Sequence, residues 1–381
     1  MPAATTAPPG VVVIGLGGMG SAAAAHLARR GARVVGLEQF SPAHDLGSSH
    51  GETRIVRQAY FEHPDYVPLA QRAYELWDEL AAATGAPLLH RIGGLMLGAP
   101  ESPVVAGTLR SARRWALPHE HLDREATAAR YPQFRLEDGE ESVYEAIAGH
   151  VSPEGAVRAH LDVAAAHGAQ LRFGAVVDGW DLVPGGVAVT VDGARLRADR
   201  LVLAAGPWTG KVLGPVLPLR PVRRVVGYFA PRGDGDAFTP DRFPVYVFDV
   251  GGGDAIYGFP ETVRGRGAKV GFHYRGPDVD PDLIARTVSP AEIEELRAVV
   301  ADRIPGLAGR CLDASVCMYT LTPDEHFVIG LMPGTDGRVV IAAGFSGHGF
   351  KFAPVVGEIL ADLATAGATR HPIGFLAPSR F

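Results

Sequence analysis

Val11-Val12-Val13-Ile14-Gly15-Leu16-Gly17-Gly18-Met19-Gly20 decides the fold class. Val11 to Ile14 are all β-branched and read as a buried parallel strand, because a strand covered on both faces is apolar at every position. An Ala-rich stretch over residues 21–30 predicts a helix ended by Gly31, and residues 33–37 predict a second strand closing on Glu38. Gly15 permits the tight turn, Gly17 lets backbone approach a pyrophosphate, and Gly20 lets helix and strand pack closely. The helix start, at Met19, then offers amide donors to phosphates. Glu38 follows about 20 residues after the turn opens, where a carboxylate accepts hydrogen bonds from an adenosine ribose and repels a 2′-phosphate. Strand, turn, helix, strand and acid together point to an adenine dinucleotide and against NADP. They do not separate FAD from NAD.

Further along, residues 156–167 read as a helix, 170–177 as extended, and 187–191 and 196–205 as strands. The last closes on Ala204-Ala205-Gly206-Pro207-Trp208. A strand ending on small residues lets backbone come close to a ligand, so Ala205 and Gly206, with Val176, are candidate cofactor contacts. Nucleotide-fold signals thus recur after a long gap, as if another domain were inserted. That favours FAD over an NAD enzyme with a continuous nucleotide fold; a second, unrelated α/β unit is the plainer alternative.

At 381 residues the chain is too long for one ordinary core, and two domains are expected. Its 47% hydrophobic and 20% charged residues exclude wholesale disorder. A formal charge of −6 without a dense basic run argues against nucleic acid and against an anionic membrane. The opening MPAATTAPPG lacks the basic segment of a signal peptide, and no apolar run reaches the roughly 20 residues of a membrane helix. Two cysteines, Cys311 and Cys317, cannot form a disulfide framework. The expectation is a cytoplasmic protein. His119-Glu120-His121 has the wrong spacing for a helical zinc pair and reads as a surface turn, so no metal is expected. Only three of the 36 basic residues are lysine, namely Lys211, Lys269 and Lys351. Nucleotide-composition bias accounts for the ratio, yet each surviving lysine is a candidate for a place where a planar guanidinium will not serve.

Three blocks carry a more specific likeness. They are Gly47-Ser48-Ser49-His50-Gly51-Glu52-Thr53-Arg54-Ile55-Val56-Arg57-Gln58-Ala59-Tyr60, Cys317-Met318-Tyr319-Thr320-Leu321-Thr322-Pro323-Asp324-Glu325-His326-Phe327, and Ala343-Gly344-Phe345-Ser346-Gly347-His348-Gly349-Phe350-Lys351-Phe352. With the glycine-rich turn they resemble the monomeric sarcosine oxidase and N-methyl-amino-acid oxidase family of flavoproteins, over essentially the whole chain. The resemblance implies an α/β, two-domain fold, a Rossmann-like FAD domain interrupted by a mixed-sheet substrate domain. Residues 1–88, 150–215 and 320–381 would form the first, and 89–149 and 216–319 the second. Strands are expected over 217–230, 243–250, 255–259 and 269–274.

The resemblance also implies roles. Cys317 matches the position where sulfur bonds covalently to a ring methyl of FAD; a thiolate there needs nearby positive charge. Cys311 takes the ordinary reading of a structural thiol. Arg57 and Lys351 match a pair that binds the substrate carboxylate, and Tyr60, Tyr257, His273 and Tyr319 match positions lining that pocket. Lys269 matches the lysine that activates dioxygen. Ser48, His50, Arg54, Thr320 and the turn Gly344, Ser346, Gly347, His348, Gly349 fall on cofactor-contacting positions, with a helix over 350–365 aiming its positive end at the flavin. Lys211 has no role in this scheme. The implied activity is oxidation of an N-methyl amino acid such as sarcosine by a monomer, hydride passing to flavin, the imine hydrolysing to aldehyde and amine, and dioxygen becoming hydrogen peroxide. Three alternatives stay open: a larger or cyclic secondary amine, an NAD-dependent dehydrogenase, and a flavin-binding scaffold without turnover.

Overall fold

The computed structural model describes residues 10–381; residues 1–9, which carry most of the segment read as lacking a leader, lie outside the described residues. Val11–Ile14 pairs in parallel with Val34–Glu38 on one side and Arg200–Leu203 on the other. Gln170–Phe173 and Val339–Ala343 extend the sheet in parallel, and antiparallel Val328–Leu331 closes one edge. All four residues of the first strand are buried, as its composition requires, because each face is covered by something different. Val11 and Val13 pack towards the helices Gly18–Arg29, Pro153–Ala166 and Ala353–Ala366. Val12 and Ile14 point the other way, onto a three-stranded antiparallel sheet formed by Val177–Val183, Gly186–Val191 and Ala194–Ala198. The α/β class is as expected.

A second body is built on an eight-stranded mixed sheet. Its order is Cys311–Leu321, Arg220–Phe229, Ala268–Phe272, Asp254–Gly258, Val245–Gly251, Gly94–Gly98, Glu141–Glu145 and Glu120–Leu122. Side chains alternate between the two faces, and the register makes that alternation coherent across strands. Phe229, Phe248, Ile256 and Val270 face the helix Pro290–Arg303, burying Leu296 and Val300 against them. The opposite face carries Cys317 and Tyr319, then Arg224 opposite Cys317, Lys269 opposite Tyr228, and Tyr257 opposite Gly271. This polar face looks towards the end of the first sheet.

Four details differ from the sequence reading. The stretch 196–205 is two strands in different sheets, Ala194–Ala198 and Arg200–Leu203, split at Asp199 where the chain passes from half-exposed to buried. The extended stretch 170–177 breaks at Gly174, whose φ of 70° a strand cannot continue through. Glu120–Leu122 is an edge strand rather than a turn, with His121 2.9 Å from Glu141. The stretch 350–365 starts as a 3₁₀ turn, Phe350–Phe352, and the α-helix begins only at Ala353. Pro354 sits in that first helical turn, where its missing N–H costs nothing.

Candidate active site

Between the two sheets lies a cleft of about 490 Å³ whose lining runs from Glu38 to Lys351. At one end the chain offers mostly backbone. Gly15 has a φ of 85°, and a Cβ there would lie 2.5 Å from the carbonyl oxygen of Ala204. A Cβ on Gly20 would lie 1.7 Å from the Gly15 oxygen, so this glycine fits helix to turn and does not line the cleft. Gly17, Met19, Val176, Ala205 and Gly206 do line it. The carboxylate of Glu38 accepts from the amides of Leu16 (2.8 Å) and Phe40 (3.1 Å). Burial pushes this acid up, but His44 and the two amides outweigh it and keep the group below its ordinary range. A carboxylate has about four lone-pair sites, so acceptor capacity remains for a ribose.

The other end is made of buried charge. Burial alone would raise the Cys317 thiol, but the neighbouring His50, Arg54 and Lys269 bring it down to about 6. Arg54 donates to the Cys317 sulfur at 3.5 Å and to Ser48 O at 2.9 Å, while Ser48 Oγ donates to Met318 O at 2.7 Å. His50 Nε2 is enclosed with no hydrogen-bond partner. Cys311 is the contrast: half-buried, its thiol donates to Asp313 O at 3.1 Å and burial pushes it up. Lys269 is buried and donates to Gly51 O at 2.7 Å; burial, with Arg54 beside it, lowers it to about 7.

Arg57 and Lys351 come together here, as the sequence suggested, but neither is an idle cation. The Arg57 guanidinium lies 4.2 Å from the rings of both Tyr60 and Phe61 and grips both oxygens of Glu62, at 2.8 and 2.6 Å. Burial would raise Glu62, yet Arg57, His348 and Lys351 hold it down at about 2. Lys351 donates to His348 O at 2.7 Å; burial and Arg57 lower it to about 7. His273, Tyr257 and Tyr319 line the cleft, burial taking His273 down to about 4 and both phenols upward. Tyr60 does not line it. Fully buried behind Lys351, its hydroxyl sits 2.5 Å from His348 Nδ1, so it holds the wall in place.

The turn after Val339–Ala343 explains its small residues. Gly347 has a φ of 83°, and a Cβ there would lie 2.2 Å from the Tyr319 ring. Gly344, His348, Gly349 and Thr320 border the cleft; Ser346 does not, since its amide donates to Thr320 O and its hydroxyl accepts from the Thr322 amide. The 3₁₀ turn, not the α-helix, lies nearest the cleft, which weakens the expected dipole contribution. Sequence reasoning missed Glu62, and it missed Glu154, which accepts from the Gly51 amide at 2.5 Å. Neither residue belongs to a spacing pattern. Lys211 is at the opposite end, exposed and paired with Asp280 and Asp282.

The donor set suits a flavin dinucleotide. A glycine-rich turn opens onto the cleft at one end, and a low-pKa thiol and an enclosed, unpartnered imidazole nitrogen meet at the other. Among the described residues no helix is long and apolar enough to cross a membrane, and no group of three or more His, Cys, Asp and Glu residues could hold a metal.

Comparison with known proteins agrees. The model of the FAD dependent oxidoreductase family matches residues 10–363. The chain is 47% identical over 373 residues to a monomeric sarcosine oxidase of Streptomyces avermitilis, covering 97% of each chain. It is 35% identical over 381 residues to N-methyl-L-tryptophan oxidase of Salmonella enteritidis PT4, covering 97% of this chain and 98% of that one. Among solved structures, the open form of NikD, an amino acid oxidase of nikkomycin biosynthesis, superposes with a TM-score of 0.85 at 27% identity, covering 98% of each chain. Glycine oxidase from Geobacillus kaustophilus shares the fold, with a TM-score of 0.82 at 21% identity over 99% of this chain and 100% of that one.

Proposed function

The chain belongs to the FAD-dependent oxidoreductase family, and from that premise we propose that it oxidises the secondary amine of an N-methyl amino acid, sarcosine being the simplest. The carrying observation is that two buried cations, Arg57 and Lys351, share one cleft with Cys317 and Lys269. FAD bound there would supply the two-electron acceptor, taking hydride from the carbon beside the amine and passing both electrons to dioxygen to give hydrogen peroxide.

The protein's part is placement and charge. Arg57 and Lys351 would hold the substrate carboxylate in a water-poor site, where charge-assisted hydrogen bonds are strong and fix the reacting carbon. Because Glu62 already engages Arg57, the incoming carboxylate shares or displaces it. His273, kept neutral by burial, can accept a hydrogen bond from the amine. Cys317 would anchor the flavin ring through a thioether, the neighbouring cations keeping its sulfur in the reactive thiolate form. Lys269 would place a compact positive charge where dioxygen takes up electrons. The six-stranded body with residues 1–88, 150–215 and 320–381 would be the FAD domain, and the eight-stranded body the substrate domain.

A peroxide-coupled screen tests the reading, with sarcosine, N-methyl-L-tryptophan, a cyclic secondary amino acid and dimethylamine as separate arms. Peroxide from N-methyl amino acids but not from dimethylamine is the expected result. Turnover of only the cyclic acid would transfer the assignment to the larger-amine alternative. A flavin left oxidised anaerobically by every amine would leave a scaffold without turnover.

A further inference from the structure

Residues 273–289 join the strand Ala268–Phe272 to the helix Pro290–Arg303 with no regular structure of their own. Irregular connections of this length are uncommon and tend to be functional. The near side of this one is tied to its own sheet. Arg223 donates to Ala285 O at 2.7 Å and Thr287 O at 2.9 Å, and the Val279 amide donates to Pro221 O at 2.9 Å.

The far side crosses to the nucleotide-binding body at two points. Arg286 donates to Leu46 O at 2.6 Å, on the loop that follows Glu38. Asp282 accepts from the indole N–H of Trp208 at 2.6 Å, and Lys211 bridges Asp282 and Asp280. Trp208, Lys211 and Asp282 border the same cleft as Glu38. A chain of contacts links them to that acid: Trp208 lies edge-on to Phe40 at 5.3 Å, Phe40 is 4.7 Å from His44, and His44 Nε2 is 3.5 Å from Glu38. These contacts place the latch at the Glu38 end, while the Arg286 contact lies nearer Cys317, since Ser48, two residues past Leu46, donates to Met318 O. The latch is wet: the side chains of Lys211, Asp280 and Asp282 keep 44%, 42% and 51% of their exposure. Leu283 beside them, 83% exposed, cements nothing. Exposed ion pairs hold weakly, so the connection can open without unfolding either body.

We infer that residues 276–289 form a clasp over the adenosine end of the cleft, latched by Trp208, Asp282 and Lys211, that sets how fast FAD enters and leaves. The inference rests on the FAD reading but not on the thioether or on the substrate. It gives Lys211 a place: a compact ammonium reaching two carboxylates at once.

The test uses Cys317→Ser holoprotein, in which retention is non-covalent, and follows FAD release by the rise in flavin fluorescence on dilution. Adding Asp282→Ala should speed release about tenfold, the factor that corresponds to about 1.4 kcal/mol. Arg286→Ala should speed it several-fold, and Asp138→Asn, which removes an exposed ion pair with Arg124 elsewhere, should change nothing. FMN, which lacks the adenosine, should leave at one rate from all of them. Capture is the second arm. Apoprotein retaining Cys317 should take up FAD faster when Asp282→Ala is present, scored as flavin carried by the denatured chain or as quenched flavin. Release and capture unchanged by both Asp282→Ala and Arg286→Ala overturn the clasp. Free flavin from denatured wild type overturns the thioether instead and leaves the release arm intact, now measurable without Cys317→Ser.

Discussion

The two ends of the cleft are built on opposite plans. The Glu38 end is mostly backbone, shaped by Gly15 at the cleft and Gly20 behind it, where an added Cβ would lie 2.5 and 1.7 Å from carbonyl oxygens. The other end is a set of buried groups, Cys317, Lys269, Arg57 and Lys351, with half-buried Glu62 against Arg57, drawn from segments far apart in the chain. Backbone surfaces should break when a glycine gains a carbon and tolerate side-chain exchange. Buried charges should do the reverse, losing rate while stability holds.

The largest expected effect is all or none. Flavin should stay with the denatured wild-type chain and be freed by Cys317→Ser, whereas Cys311→Ser should leave it attached; denaturing gel fluorescence reads this directly.

Next comes Lys269→Met, expected to slow reoxidation by dioxygen about 10²–10³-fold, the scale for losing one preorganised charge. Anaerobic flavin reduction by substrate should remain nearly intact, and stopped-flow separates the two steps. The sign with pH follows from burial, which lowers this lysine to about 7. The cation is present below that pH and lost above it, so the wild-type reoxidation rate should fall as pH rises through 7. Lys269→Met should show no such step.

Arg57→Met or Lys351→Met should raise KM about 10–100-fold, matching about 1.5–3 kcal/mol for a charge-assisted hydrogen bond, with reoxidation preserved. Glu62→Gln should act in the opposite direction, lowering KM several-fold, because it frees Arg57 of the carboxylate it now grips. A higher KM in Glu62→Gln would mean that Glu62 orients Arg57 rather than competing for it.

The smallest effects belong to the Glu38 end and the turn behind it. Gly20→Ala should cost about 1–3 kcal/mol by overpacking, seen as a lowered Tm with kcat unchanged in what remains folded. Glu38→Gln keeps the shape but sets an NH2 group against one of the two amides now bonded to the carboxylate, and should weaken non-covalent FAD binding several-fold. A collapse of kcat in either would blur the division between the two ends.

Legibility in the sequence follows the same division. The strand, turn and helix over residues 11–29 could be read because each step is local and each glycine has a steric reason. Cys317, Lys269 and Lys351 were found through flanking residues, and the structure brings them into one cleft. Glu62 was invisible: a glutamate five positions after an arginine carries no signal until the turn folds back. Tyr60 was legible as a site residue but not as one standing behind the wall, since depth is a property of packing. The contact between Lys211 and Asp282 spans 71 positions and joins two loops without any pattern.

The face that carries Cys317, Tyr319, Lys269 and Tyr257 has a consequence for how such a chain can change length. Their common orientation depends on each residue's odd or even place along its strand. Gaining or losing one residue within 316–321 or Ala268–Phe272 would turn the side chains beyond that point towards the aromatic core, whereas the start of the longer strand already absorbs an extra residue where its register slips between Asp313 and Cys311. The irregular connection over 273–289 is under no such rule. Lineages of this architecture should therefore vary in length between these strands or at such a bulge, and rarely elsewhere inside them.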